Sequence, residues 1–308
     1  MPRVGVVGAT GAVGRVVVDL LADRGFDDVR LFASARSAGT EIDGRVVEEA
    51  TPETLSAGNL DLCFFSVGSK ASRELVPHAV RGGALCVDKS EAFRLEDGIP
   101  LVVPEVNGTR ALEHHGIVAN PNCCSIPLSL VLKPLHDEAS VRSVRVATYQ
   151  SASGKGARRL QQLLDEPQAE HDLSADWQFD GEEFDEETKI REETRKILEL
   201  PELPVSATCV RVPVAVGHAE SVWVETEEPI DASRARDVLA AAASVRVEDF
   251  PTPRAAAGGD EVLVGRIRPD RAGDGISLHL ACDNLRKGAA LNGIQIAELV
   301  LSQRRVAA

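Results

Sequence analysis

Val4-Gly5-Val6-Val7-Gly8-Ala9-Thr10-Gly11-Ala12-Val13-Gly14 decides the fold. Its first half is an apolar run of buried-strand length, and its glycines fall where a strand must turn sharply into a helix. Val13, Val16, Val17, Leu20 and Leu21 then mark one helical face, and Gly25 marks its end. The spacing Gly8, Gly11, Gly14 is a variant of the turn in which glycines let the backbone approach a pyrophosphate at a helix N-terminus. Strand, glycine turn and helix in that order predict the opening unit of a dinucleotide-binding domain.

The second strand is expected over residues 29–33. For NAD it would end in an acidic residue, but here it runs into Ser34-Ala35-Arg36-Ser37. Hydroxyls and a guanidinium suit a 2′-phosphate and point to NADP, although the same four residues would also serve as an ordinary polar loop. Further apolar strands are expected over 60–66, 83–87, 100–104 and 116–119, with a helical stretch over 71–81. Strands alternating with helices predict a parallel, doubly wound sheet of Rossmann type.

The last of those strands runs into Asn120-Pro121-Asn122-Cys123-Cys124-Ser125. Asn-Pro-Asn is a turn, and Ser125 to Leu132 reads as the first turns of an apolar helix, with Pro127 early enough to be tolerated. Cys123 therefore sits at a strand-to-helix junction, just beyond the carboxyl end of a strand, where ligands bind in such sheets. A helix N-terminus favours a thiolate and an oxyanion. The alternative for any single cysteine is a buried structural thiol; the landmarks downstream favour a nucleophile.

After Ser140 the pattern changes to alternation of apolar and polar residues over 141–149, 207–214, 220–226 and 276–282, which predicts a largely antiparallel sheet with one covered face. An acidic helical region, 157–200, reads as a solvated face, and a second helix is expected over 235–243. The expected organisation is a nucleotide-binding domain, residues 1–122, completed by a C-terminal helix from 285–308, and an α+β catalytic and dimerisation domain, residues 123–284. At 308 residues the chain has ample core for two domains. A net charge of −14 argues against nucleic acid or an anionic membrane surface as partner. No apolar run approaches membrane-spanning length, and Met1-Pro2-Arg3-Val4 enters a strand at once, so neither a membrane span nor a signal peptide is expected. Six cysteines without C-x-x-C spacing suit reduced thiols in a cytoplasm, and the seven histidines show no metal spacing.

Long segments in matching order resemble the aspartate-β-semialdehyde dehydrogenase family. They include Gly8–Gly14, Ala33–Gly39, Ala92-Phe93-Arg94, Val103–Asn107, Ala119–Cys123 and Thr148-Tyr149-Gln150. The rest are Glu193–Ile197, Cys209–Pro213, Gly217–Glu220 and Asp283–Ala290. The resemblance implies that Cys123 forms a thioester with the substrate carbonyl, that His218 is the acid/base, and that Gln150 orients the substrate or His218. It implies Arg211 for the substrate carboxylate, Glu186 for its amino group, and Arg94 with Lys189 for phosphate. Gly8, Thr10, Gly11, Ala12, Val13, Ser34, Arg36, Ser37, Ser66, Ser153, Gly154 and Gln295 would line NADP. The implied reaction is NADPH-dependent reduction of L-aspartyl-4-phosphate to the semialdehyde, in biosynthesis of the aspartate family of amino acids, by a homodimer or homotetramer and without a metal.

The chain departs from the family pattern at Lys89 and Glu91, at Lys155, at Cys124 beside the nucleophile, and in a shortened segment between Gln150 and Glu186. Two other readings stay open at this point: a reductase of a related acyl phosphate, such as N-acetylglutamyl phosphate, and a catalytically silent NADP-binding paralogue.

Overall fold

A computed structural model describes residues 2–166 and 175–307, with side chains through Gln303. The chain forms two compact units, Met1–Pro121 with Ala289–Ala308, and Asn122–Gly288.

In the first unit the strands are β1 (Val4–Val7), β2 (Val29–Ala33), β3 (Glu41–Ile42), β4 (Arg45–Glu49), β5 (Leu62–Phe65), β6 (Leu85–Asp88) and β7 (Ile117–Ala119). They lie in the order β3-β4-β2-β1-β5-β6-β7. All pairings are parallel except the short β3–β4 hairpin. β1, β5 and β6 are buried at every position, as strands covered on both faces must be. The chain leaves β1 for β2 on one side and returns to β5 on the other. The carboxyl end of β1 is thus the switch point where doubly wound sheets bind ligands. The helix Ala12–Asp23 starts there and buries Val17, Val18, Leu20 and Leu21. The last helix, Leu291–Ala307, adds Leu291, Ile294, Ile296, Ala297 and Val300 to the core of this unit.

The second unit holds β8 (Val141–Gln150), β9 (Val205–Arg211), β10 (His218–Thr226), β11 (Val245–Val247), β12 (Val262–Pro269) and β13 (Gly275–Cys282). Their order is β11-β12-β13-β10-β8-β9. The long central pairings, β10 with β13 and β8 and β12 with β13, are antiparallel, while β8–β9 and β11–β12 are parallel. The helix Ser125–Ala139 is buried at every one of its first eight residues. Apolarity all round fits a helix walled in by protein, and it packs against β8, β10, β13 and the helix Asp185–Leu198.

Two expectations need correction. Residues 100–104 make a single bridge, Leu101 with Ala119, and not a strand. Pro104 starts a short helix, and the Asn107 side chain takes the backbone groups a strand would need, accepting from Val103 N (2.9 Å) and donating to Leu101 O (2.9 Å). The acidic region 157–200 is two helices, Ala157–Asp165 and Asp185–Leu198, with residues 167–174 outside the described part. Its charge is not simply solvated, because Glu186, Glu187 and Glu193 are all buried.

Candidate active site

The glycine turn after β1 is a tight cradle. Gly8 has φ +88°, and a β-carbon there would lie 2.4 Å from the Ser66 carbonyl oxygen. A β-carbon at Gly14 would lie 2.0 Å from the Gly8 carbonyl oxygen. Only glycine fits either place. Gly11 stands at the N-cap of the helix Ala12–Asp23 and gives it no side-chain cap. Thr10 is exposed and Ala12 and Val13 half-buried at this turn. Ser34, Arg36 and Ser37 form the turn after β2, where Ser37 N donates to Ser34 O and the Arg36 side chain is exposed. This is the shape and chemistry a phosphate-bearing dinucleotide requires.

Three further residues named from the sequence lie in this unit. Arg94 is buried, and its guanidinium donates from Nε to Asn120 O (3.0 Å) and from Nη2 to Lys89 O (2.6 Å), so part of it clamps the loop that leads to Cys123. Gln295 donates from Nε2 to Glu105 (3.2 Å). Ser66 meets the glycine cradle through its backbone carbonyl.

The second unit gathers the remaining candidates. Cys123 is half-buried, two residues before the helix that starts at Ser125, while Cys124, at the N-cap, is fully buried. Asn122 shapes this corner. Its Oδ1 accepts from Cys124 N (2.8 Å), its backbone N donates to Glu193 (2.6 Å), and its Nδ2 donates to Glu186 Oε1 (3.0 Å). Burial pushes the Cys124 thiol well up, which keeps it protonated and unreactive beside its more accessible neighbour.

His218 opens β10 opposite Cys282. A ring nitrogen of His218 and the sulfurs of Cys123 and Cys124 lie within 4.8 Å of one another. The backbone N–H of Ser151 donates to His218 Nδ1 at 3.0 Å, with Ser151 Oγ also 3.0 Å away. An Nδ1 that accepts a hydrogen bond leaves the proton of the neutral ring on Nε2. Nε2 is buried and has no hydrogen-bond partner among the described residues. Nearness alone would let these three side chains share a soft cation. A ligating Nε2 needs its proton on Nδ1, however, and Ser151 N–H already points there.

Arg211 ends β9 and is buried. Its Nε donates to Asp176 (3.1 Å), its Nη1 to Ser151 O (2.8 Å), and its guanidinium lies 4.8 Å from the centre of the Trp177 ring. Regular alternation would put Arg211 and His218 on opposite faces. The chain leaves the ladder between them, with Gly217 at φ +94°, and both side chains converge on Gly154. A β-carbon there would stand 3.1 Å from Arg211 Nη1 and 3.1 Å from His218 Nε2.

Gln150, at the end of β8, donates to Glu186 Oε1 (3.1 Å) and Thr148 Oγ1 (3.3 Å). Burial, with Cys123 nearby, pushes the Glu186 carboxyl up, against the hydrogen bonds of Asn122 and Gln150 and the charge of Lys189. Lys189 is half-buried and pairs with Asp185 (2.9 Å) and Glu186 (3.8 Å). Ser153 is buried in a polar knot with Ser151 (3.0 Å) and Asn284 (3.1 Å).

Cys123, Gln150, His218, Arg211, Glu186, Lys189, Ser153 and Gly154 therefore share one unit, while Arg94 and the glycine-turn residues stand in the other. Reading by sequence missed Asn122, Ser151, Asp176 and Asn284. Only the first and last carried a visible signal, inside the segments Ala119–Cys123 and Asp283–Ala290.

Residues 3–114 match the family described as semialdehyde dehydrogenase, NAD binding domain, and residues 176–287 match semialdehyde dehydrogenase, dimerisation domain. The chain belongs to the semialdehyde dehydrogenase family. It is 44% identical to the aspartate-semialdehyde dehydrogenase of Streptomyces akiyoshiensis, over 98% of this chain and 99% of that one. That alignment runs over 336 positions, more than the 308 residues here, so the relative carries segments this chain lacks. Among solved structures, aspartate semialdehyde dehydrogenase II of Vibrio cholerae, complexed with ASA, superposes with a TM-score of 0.92 at 37% identity, covering 98% of both chains. The aspartate semialdehyde dehydrogenase of Candida albicans with NADP gives a TM-score of 0.81 at 26% identity, covering 99% of each chain.

Proposed function

We propose that this chain reduces L-aspartyl-4-phosphate to L-aspartate-4-semialdehyde with NADPH, through a thioester on Cys123, as a cytoplasmic homodimer or homotetramer in biosynthesis of the aspartate family of amino acids. The observation that carries the reading is the pairing of a half-buried Cys123 with a His218 whose Nε2 has no partner among the described residues. The names of the relatives add weight to the substrate assignment.

Arg211 takes the substrate α-carboxylate with the part of its guanidinium that Asp176 and Ser151 leave open, and Glu186 takes the ammonium group. The Cys123 sulfur then attacks the acyl carbon. The carbon–oxygen bond to phosphate breaks, and the thiol proton ends on the departing phosphate, so thiol and acyl phosphate become thioester and hydrogen phosphate. His218 serves this step as a hydrogen-bond donor. Its Nε2–H faces the carbonyl oxygen as that oxygen becomes negative and steadies it without surrendering the proton. NADPH bound along Gly8–Val13, with Arg36, Ser34 and Ser37 on its 2′-phosphate, supplies the hydride. When the reduced adduct collapses, the aldehyde leaves and the sulfur takes a proton from solvent.

The assay that tests this follows NADP⁺ reduction with L-aspartate semialdehyde plus phosphate, beside the glutamate analogue. Turnover with the aspartate compound and at least tenfold less with its homologue is expected. Equal or better turnover of the homologue would assign a different acyl phosphate, and none with either would leave an NADP-binding protein without this activity.

A further inference from the structure

Glu220 lies two residues after His218 on β10, so both side chains point to the same face. It is fully buried, and neither carboxylate oxygen has a nitrogen or oxygen donor among the described residues; the Cys124 thiol is its one, weak, hydrogen-bonding neighbour. The ionisable groups that interact with it are the thiols of Cys124 from the start of the central helix, Cys209 from β9 and Cys282 from β13, with Cys123 also within electrostatic reach, and Glu186 acts on Cys124 and Cys209 from the helix Asp185–Leu198. On the flanking strands its cross-strand neighbours are Thr148 and Leu280. Lys287 acts on Cys282, and His218 shares the strand.

A carboxylate with only a thiol's weak hydrogen bond and no paired cation among the described residues is costly to bury, and such a group keeps its proton instead. Cys123, half-buried and at a helix start, is the better place for charge. Two anions side by side in this pocket would repel one another and would also repel the incoming acyl phosphate. We infer that Glu220 is a positioning residue, a neutral carboxylic acid whose retained proton reserves the negative charge of the pocket for the Cys123 sulfur. The inference rests on the reading of Cys123 as nucleophile. On this arrangement Cys123 ionises first, with Glu220 still neutral. The thiolate then holds Glu220 protonated to higher pH, and the burial that pushes its carboxyl well up acts in the same direction.

Infrared difference spectroscopy of the full-length protein tests this, with Glu220→Gln to identify the carboxylic-acid carbonyl band. At neutral pH that band is expected in the native protein and absent in the variant. Alkylating Cys123 with iodoacetamide forms a neutral thioether with loss of iodide and the thiol proton. The pH at which the band vanishes should then fall by at least about one unit, the effect of removing a neighbouring charge. Glu220→Gln should keep activity near neutral pH within about tenfold and extend it to more alkaline pH. A carboxylate band at neutral pH, or a midpoint that alkylation does not move, would overturn the inference. The alkylation arm needs only native protein, so it stands even if the variant fails to fold. Activity that survives full alkylation of Cys123 would instead refute the nucleophile itself.

Discussion

The backbone N–H of Ser151 donates to Nδ1 of His218 at 3.0 Å. That one contact fixes the tautomer of the ring and makes Nε2 its donor edge. Replacing His218 by Asn should lower kcat by about 10²–10³, the usual cost of losing one donor to a developing oxyanion, with a smaller effect on KM. Ser151 sits at φ −71°, ψ 161°, a conformation proline can adopt. Ser151→Pro removes the N–H and should reproduce most of the His218→Asn loss. Ser151→Ala keeps the N–H and should stay within about tenfold of native. Equal loss in both serine variants would mean that the hydroxyl, and not the backbone, sets the ring.

Arg211 and Arg94 stand in different units and have different partners, Asp176 with Ser151 O for one and two backbone carbonyls for the other. Arg211→Leu should raise KM for semialdehyde and acyl phosphate alike, by the roughly 2–5 kcal/mol that a truncated buried charge pair costs. Arg94→Leu should raise the requirement for phosphate. It should also destabilise the fold by about 1–3 kcal/mol, because it strips donors from buried carbonyls. Steady-state kinetics varying phosphate and semialdehyde separately, with urea denaturation alongside, check both. If Arg94→Leu leaves the phosphate dependence unchanged, its role is to hold the loop, and Lys89 becomes the next phosphate candidate.

The exposed Arg36 in the turn after β2 is the residue proposed to choose the cofactor. Arg36→Ala should cost about 1.5–3 kcal/mol of NADP(H) affinity, the worth of a hydrogen bond to a charged group, and leave NAD(H) nearly unchanged. Competition binding with the two cofactors measures the ratio. A native protein that used both equally would remove the role from Ser34, Arg36 and Ser37 together.

Where one physical signal acted alone, the sequence was legible. Val29–Ala33 is apolar at every position but Arg30, and its expected and observed bounds coincide. The junction at Cys123 was visible because Asn-Pro-Asn cannot continue a strand into a helix directly. β12 escaped notice because Gly265 and Arg266, the latter at φ +52°, break its alternation at a bulge. The β3–β4 hairpin turns at Asp43-Gly44, a signal present in the sequence but flanked by strands too short to show a period. The buried carboxylates were hidden for a different reason. Glu186, Glu187 and Glu193 are surrounded by other charges in sequence, and only folding turns them toward Asn122, Gln150 and the Cys209 backbone.

The most direct measurement is the intact mass of the protein after mixing with L-aspartate semialdehyde and NADP⁺ without phosphate, followed by peptide mapping. Hydride transfer without an acyl acceptor should strand one aspartyl group per chain as a thioester on Cys123. The adduct should be removed by adding phosphate and absent in Cys123→Ala, while Cys124→Ser should still form it. An adduct on Cys124, or turnover that persists in Cys123→Ala, would contradict it.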